Sequence, residues 1–259
     1  MHKLGSFYDK LSQEDKLLVS HIADIAEVSQ KKYIPRFSSF LDERQVALAE
    51  SVVNNLGISN CVFYGGYEKA SRVILGVFPD YYEAEKSEFP FDAVVFRYKA
   101  DHKLSHRDFL GAIMSCGVNR NMVGDIIVND GYTVAFVYHT VASAVIGDIS
   151  KIGSVGVKVS TEASPEINIE ERFTEICGTV SSMRMDCILS LALKLSREKS
   201  AQYIRGGNVT LNYACNSSVS TELKTGDVFS ARGYGKFILD DISGKTKKDR
   251  LHVKIKKYI

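Results

Sequence analysis

Between Phe91 and Ser160 the hydrophobic period switches repeatedly between two and 3.6 residues, and the order of the switches leaves few folds open. Phe91 to Lys99 alternates as a strand, Ser105 to Cys116 repeats as a helix, and Asp125 to Val128 and Tyr132 to Tyr138 are two further strand patterns. Val141 to Ile149 is again helical and Val155 to Ser160 extended. Asn129-Asp130-Gly131 joins the middle strands, and Asp-Gly between alternating runs is a hairpin signal because both turn positions take positive φ. The resulting β-α-β-β-α-β order predicts a ferredoxin-like split-βαβ sandwich.

This is also the architecture of RRM domains, which stack bases on aromatics of the central strands; Phe96, Tyr98, Phe136 and Tyr138 are the candidates. No segment carries the basic-Gly-aromatic pattern of such platforms, so these rings read as core first. On the N-terminal side, Leu18, Ile22 and Ile25 recur at helix spacing behind a Ser12 cap, with Glu14 and Asp15 at the positive helix end. A second helix runs from about Asp42 through Leu48, Val52, Val53 and Leu56 to a Gly57 stop. Cys61 to Tyr64 and Arg72 to Phe78 read as strands. The acidic, aromatic stretch Asp80 to Pro90 and the segment Thr161 to Asn168 read as linkers. The expectation is an α+β protein: an α/β unit over 1–80, an RRM-like domain over 81–165 and a third domain over 181–259.

Composition excludes several classes. Of 259 residues, 45% are hydrophobic and 25% charged, which is globular rather than disordered. Val134 to Ile149, interrupted by His139, falls short of the ~20 apolar residues that span a bilayer. Met1 to Ser6 leads into Gln13-Glu14-Asp15-Lys16 without an apolar core, so no export is expected and the chain reads as cytoplasmic. Five cysteines without a C-x-x-C pair read as reduced, mostly buried thiols, and six scattered histidines suggest no metal site. His106-Arg107-Asp108 looks like a kinase catalytic loop, but Ile113 stands where the metal-binding Asn belongs; Ser105 and Asp108 make a capping box instead. Gly65-Gly66 and Gly233-Tyr234-Gly235 lack the Lys-Ser/Thr of a phosphate loop. Neither an enzyme, a cofactor nor a small-molecule substrate is expected.

The net charge of +2 conceals a division. Ser181 to Ile259 holds 15 basic and 7 acidic residues, +8, against −6 for the remainder. A basic C-terminal domain on an acidic body suits a polyanion binder, since each cation at a phosphate releases counterions. Within it, Ser182 is expected to cap a helix with Met185, Ile188, Leu189 and Ala192 inward. Ser196 is expected to cap a shorter one with Ala201 and Ile204 inward and Gly206-Gly207 as its stop. The second N-terminus, beside Arg197 and Lys199, is a seat for phosphate. Strands follow at Val209 to Leu211, Val228 to Arg232 and around Val253 and Ile255.

The residues Arg184-x-Asp186-x-x-Leu189, Leu195-Ser196-Arg197-x-Lys199, Ile204-x-x-Gly207-x-Val209-x-x-Asn212 and Leu223-x-x-Gly226-Asp227 resemble the S4 RNA-binding domain. Phe63-Tyr64-Gly65-Gly66-Tyr67-Glu68, Leu104 to Gly111 and Gly124-Asp125-Ile126-Ile127-Val128 extend the likeness to the YlmH-type S4 proteins of bacteria, with Ala70-Ser71-Arg72 departing from the usual Ala-Glu-Arg. The resemblance implies a non-enzymatic factor docking on rRNA and peptidyl-tRNA of the large ribosomal subunit, in rescue of obstructed subunits and tailing of nascent chains. The expected contact surface is Arg184, Ser196, Arg197, Lys199, Gln202, Arg205 and Asn212, flanked by Arg232, Lys236, Lys247 and Lys248. Glu at both Arg197 and Lys199 is expected to abolish binding without unfolding the domain. Two alternatives stand: an accessory to rRNA modification, and a division-associated adaptor acting through the acidic body.

Overall fold

In the computed structural model, which describes residues 11–163, 165–167, 173–246 and 249–258, the chain divides into two compact units, 1–169 and 170–259. In the first unit, Ser12 accepts a hydrogen bond from the Asp15 N–H at 3.2 Å and starts helix α1 (Gln13–Lys32). Strand β1 (Arg36–Leu41) leads to α2 (Glu43–Leu56), where Asp42 and Gln45 cap each other reciprocally and Gly57, at φ +73°, ends the helix. With β2 (Cys61–Tyr64) and β3 (Val73–Val77), β1 forms an antiparallel sheet in the order β1-β3-β2. Val19, Ile22, Val52 and Val53 of the helices bury Leu41, Leu75 and Val77 on one face of this sheet.

The next elements are β4 (Phe91–Arg97), α3 (His106–Ser115), β5 (Val123–Asn129), β6 (Tyr132–Tyr138) and α4 (His139–Asp148). A short hairpin of β7 (Lys151–Ile152) and β8 (Val155–Gly156) then precedes β9 (Lys158–Thr161). The antiparallel sheet has the order β5-β6-β4-β9, in which β6 lies between β5 and β4. That is the strand order of a split β-α-β sandwich. The single strand expected over Val155 to Ser160 is instead broken into β8 and β9, because Val155 pairs back onto Ile152.

Alternation decides what each face of this second sheet meets. Val94, Phe96, Ala135 and Val137 pack with Phe109 and Ile113 of α3 and Ala142 and Val145 of α4. Val95, Val134 and Phe136 point the other way and join Phe40, Ile74, Phe78 and Phe89 in an aromatic layer. The first sheet contributes Phe40 and Ile74 to that layer, so the two sheets share one core and unit 1 is an α/β/β/α stack. The boundary expected near residue 80 falls inside this unit. The acidic, aromatic stretch expected to be a linker supplies Phe89, whose ring lies 5.2 Å from Phe37 and 5.3 Å from Tyr64.

Unit 2 opens with β10 (Phe173–Val180), followed by a helical hairpin of α5 (Met185–Leu193) and α6 (Arg197–Arg205). The strands β11 (Val209–Leu211), β12 (Ala214–Cys215), β13 (Val228–Ala231), β14 (Gly235–Lys245) and β15 (Leu251–Tyr258) complete a six-stranded sheet in the order β10-β15-β14-β13-β11-β12. Met185, Ile188, Leu189 and Ile204 from the hairpin pack on Phe229, Phe237, Leu239, Val253 and Ile255 from the sheet. Each such fully buried side chain contributes roughly 1.5–3 kcal/mol.

Two expectations are corrected by these elements. Ser182 does not cap α5: Arg184 occupies the cap position without a side-chain capping bond to the helix N–H groups, and the Ser182 hydroxyl lies 3.4 Å from the Cys187 sulfur. The cysteines are not mostly buried, since only Cys187 is, while Cys177 and Cys215 are exposed. Among the described residues no helix is long and apolar enough to cross a membrane.

Candidate nucleic-acid interface

The residue that organises the hairpin of unit 2 is Asp186, 5% exposed in the first turn of α5. Its Oδ2 accepts a hydrogen bond from Arg197 Nη2 at 2.7 Å and its Oδ1 one from Arg184 Nε at 3.1 Å. Burial works against ionisation of this carboxyl, but the bonds from Arg197 and Arg184 outweigh it and hold its pKa below the ordinary 3.8. Two of the expected contact residues are therefore partly engaged within the protein, through an acid the sequence had shown only as a motif letter. Glu at Arg197 would face Asp186 across a buried contact. Its replacement is no longer expected to leave the domain intact.

The second helix begins as expected: Ser196 Oγ accepts from the Lys199 N–H at 3.2 Å. Ile204 and Ser200 turn inward, and Lys199, Gln202 and Arg205 are exposed at three-residue spacing along one side of α6. Arg232 is exposed on the turn after β13; its carbonyl accepts from the Tyr203 hydroxyl. Lys236 lies 5.0 Å over the Tyr213 ring and 5.1 Å over the Tyr258 ring. It belongs to the sheet rather than to the hairpin. Asn212 is engaged within the fold. At φ +45° it forms the β11–β12 turn, donates to Asp227 Oδ1 at 2.9 Å and accepts from the Val228 N–H at 3.0 Å. Lys247 and Lys248 lie outside the described residues.

In unit 1 the aromatic platform considered from sequence does not form. Phe96 is fully buried against Phe109 at 5.4 Å on the helix face, whereas Phe136, 2% exposed, stacks on Tyr67 at 5.8 Å on the opposite face. Strand alternation separates the four rings, and both faces are covered. A cleft of about 290 Å³ opens instead beside β5, lined by Tyr67, Ser71, His106, Asp125, Ile126 and Ile127. Asp125 Oδ2 accepts from the Tyr67 hydroxyl and from the Ser71 N–H, both at 2.6 Å. Burial and this carboxylate raise the Tyr67 pKa far above its ordinary range. Arg72 beneath donates to the carbonyls of Val123 at 2.9 Å and Phe40 at 3.2 Å. His106 lines this cleft, and loss of solvent with the nearby Arg120 charge lowers its pKa. Asp108 accepts from the Ser105 N–H at 2.8 Å and from its hydroxyl at 2.7 Å, as the capping reading requires. Sequence reasoning did not group these residues, although the segments 63–68, 104–111 and 124–128 had each been singled out.

The chain is 30% identical over 253 residues to "Ribosome-associated protein quality control protein P2" of Bacillus subtilis (strain 168), covering 96% of this chain and 98% of that one. The chain belongs to the YlmH family. Residues 85–166 match the family model described as "Putative RNA-binding domain in YlmH", which spans the four-stranded sheet and its helices. The structure of "Cell division protein ylmH from Streptococcus pneumoniae" is similar in fold, with a TM-score of 0.50 at 21% identity, over 59% of this chain and 93% of that one. For a YlmH chain, the covered sheet faces are a constraint: neither face of the four-stranded sheet leaves its aromatic rings open as a stacking platform. No group of His, Cys, Asp and Glu suited to a metal ion occurs among the described residues.

Proposed function

We propose that this chain is a non-enzymatic RNA-binding factor that docks on rRNA and peptidyl-tRNA of the large ribosomal subunit through an S4-type domain in unit 2, acting in rescue of stalled ribosomes and nascent-chain tailing. The observation that carries the reading is the hairpin itself. Asp186 fixes Arg184 and Arg197 at the start of two successive helices, and the exposed row of Lys199, Gln202 and Arg205 runs on along the second. A rigid cationic edge of this kind suits the sugar-phosphate surface of folded RNA, where shape and phosphate positions carry recognition. The name of the Bacillus subtilis relative and the RNA-binding description of the 85–166 match support the same direction.

The test is sedimentation of the full chain with large ribosomal subunits. Lys199→Glu combined with Arg205→Glu, both exposed and away from Asp186, is expected to move the protein from the ribosomal fractions to the top of the gradient. Co-sedimentation equal to wild type would reject the assignment.

A further inference from the structure

Beside the hairpin, unit 2 has a second feature that the contact row on α6 leaves unused. A cleft of about 320 Å³ is lined by Ser181, Cys187 and Ser190 and by three cations, Lys194, Arg197 and Arg250. The cations come from three separate elements. Lys194 ends α5 in the left-handed conformation at φ +54°, Arg197 begins α6, and Arg250 immediately precedes β15. No Asp or Glu is among the lining residues.

The two guanidinium groups are already oriented. Arg197 Nη2 donates to Asp186 at 2.7 Å, and Arg250 Nη2 donates to the Thr179 carbonyl at 2.7 Å. A guanidinium has five N–H donors, so each keeps further donors for a ligand while its position is fixed by the fold. Lys194 makes no ion pair among the described residues. Three like charges around one concavity repel one another, and an anion seated between them turns that repulsion into attraction.

We propose that this cleft is a phosphate-binding subsite for the RNA backbone, distinct from the row on α6 and sharing only Arg197 with the hairpin surface. The proposal rests on the RNA-binding reading of unit 2 and names a further part of the same interface. The ligand is a backbone phosphodiester rather than a free nucleotide, because none of the lining residues is aromatic and the cleft offers a base nothing to stack on. Lys194 and Arg250 thereby join the binding residues.

The experiment measures the affinity of the full chain for rRNA extracted from large ribosomal subunits across a series of KCl concentrations. Lys194→Gln is expected to weaken binding to unrelated RNAs by the same factor and to reduce the slope of log affinity against log salt by about one; adding Arg250→Gln should reduce it by about two. Arg250 also holds Thr179, so the exposed Lys194 carries the test alone if the double variant is poorly folded. If Lys194→Gln keeps wild-type affinity and slope while Lys199→Glu with Arg205→Glu loses binding, the subsite is overturned and the RNA reading stands. If both variants bind as wild type, both fall. A calorimetric titration with ATP and with inorganic phosphate is expected to show no binding tighter than millimolar. Micromolar ATP binding that Lys194→Gln removes would overturn the assignment to RNA.

Discussion

Asp186 and Arg197, eleven residues apart, meet at 2.7 Å and lock the starts of α5 and α6 together. The acid is nearly buried, whereas the guanidinium side chain is 56% exposed and that of Arg184 39%. Hydrogen bonds to charged groups are worth about 1.5–3 kcal/mol, and this much exposure discounts the pair, so Asp186→Asn should cost about 1–2 kcal/mol at neutral pH. The sign with pH follows from the depressed pKa: the stabilisation is complete above the ordinary 3.8 and is lost as pH falls through the lower folded value. Urea denaturation of wild type and Asp186→Asn from pH 6 to pH 2 should show the difference narrowing only at the acid end. A gap that is constant with pH would show that the carboxylate charge contributes nothing.

Gly66 has φ +100°, and a Cβ there would lie 2.2 Å from Cε1 of Phe136. Gly57 has φ +73° with nothing within 4 Å of the same atom. Gly57→Ala should therefore cost about 1–2 kcal/mol for the backbone alone, and Gly66→Ala should add about 1–3 kcal/mol of overpacking in the aromatic layer. Thermal unfolding of the two variants compares them directly. Equal losses would mean that the ring of Phe136 gives way without cost.

Asn212 supplies turn geometry and two hydrogen bonds within unit 2. Asn212→Ala should destabilise unit 2 by about 2–3 kcal/mol, from those bonds and from a left-handed residue without an amide side chain. At a temperature where the variant remains folded, its rRNA affinity should stay within about twofold of wild type, since turn packing does not enter the phosphate term. Weak binding by a fully stable Asn212→Ala would return this residue to the interface.

Salt dependence tests the electrostatic reading as a whole. Neutralising about six phosphates gives a slope of log affinity against log salt of about −4 to −5 for folded RNA. A slope near zero in the KCl series on wild-type protein would remove phosphate contact as the source of affinity.

The periodic segments were legible because their partners are local. Ser12, Asp42, Ser105 and Ser196 each start the helix expected of them, and Asp130-Gly131 turns the hairpin between β5 and β6. What the sequence hid depends on distant residues. Strand β1, with Ser38 and Ser39 in mid-run, alternates weakly; the Ser38 hydroxyl is buried only because it accepts from the Leu75 N–H across the sheet at 2.9 Å. Strand β14 contains the acidic pair Asp240 and Asp241, tolerated because Lys256 lies 2.7 Å from Asp240 and the register shifts between Leu239 and Asp241. The same limit applies to the sites. The cations of α6 could be read from spacing, but the bond that Arg197 donates to Asp186 and the gathering of Tyr67, His106 and Asp125 around one cleft exist only after folding. The aromatic candidates failed because alternation fixes which rings share a face, while the choice of covering element belongs to another part of the chain.

Strand β10 pairs only with β15, the strand that separates it from β14. During synthesis β10 is therefore the first of the six strands to emerge and the last to find its neighbour. The helices and inner strands lie between the two in sequence, so β10 is held in the sheet by a non-local pairing rather than by a hairpin. Loss of β15 would therefore leave β10 without a neighbour in the sheet and open the outer edge of β14.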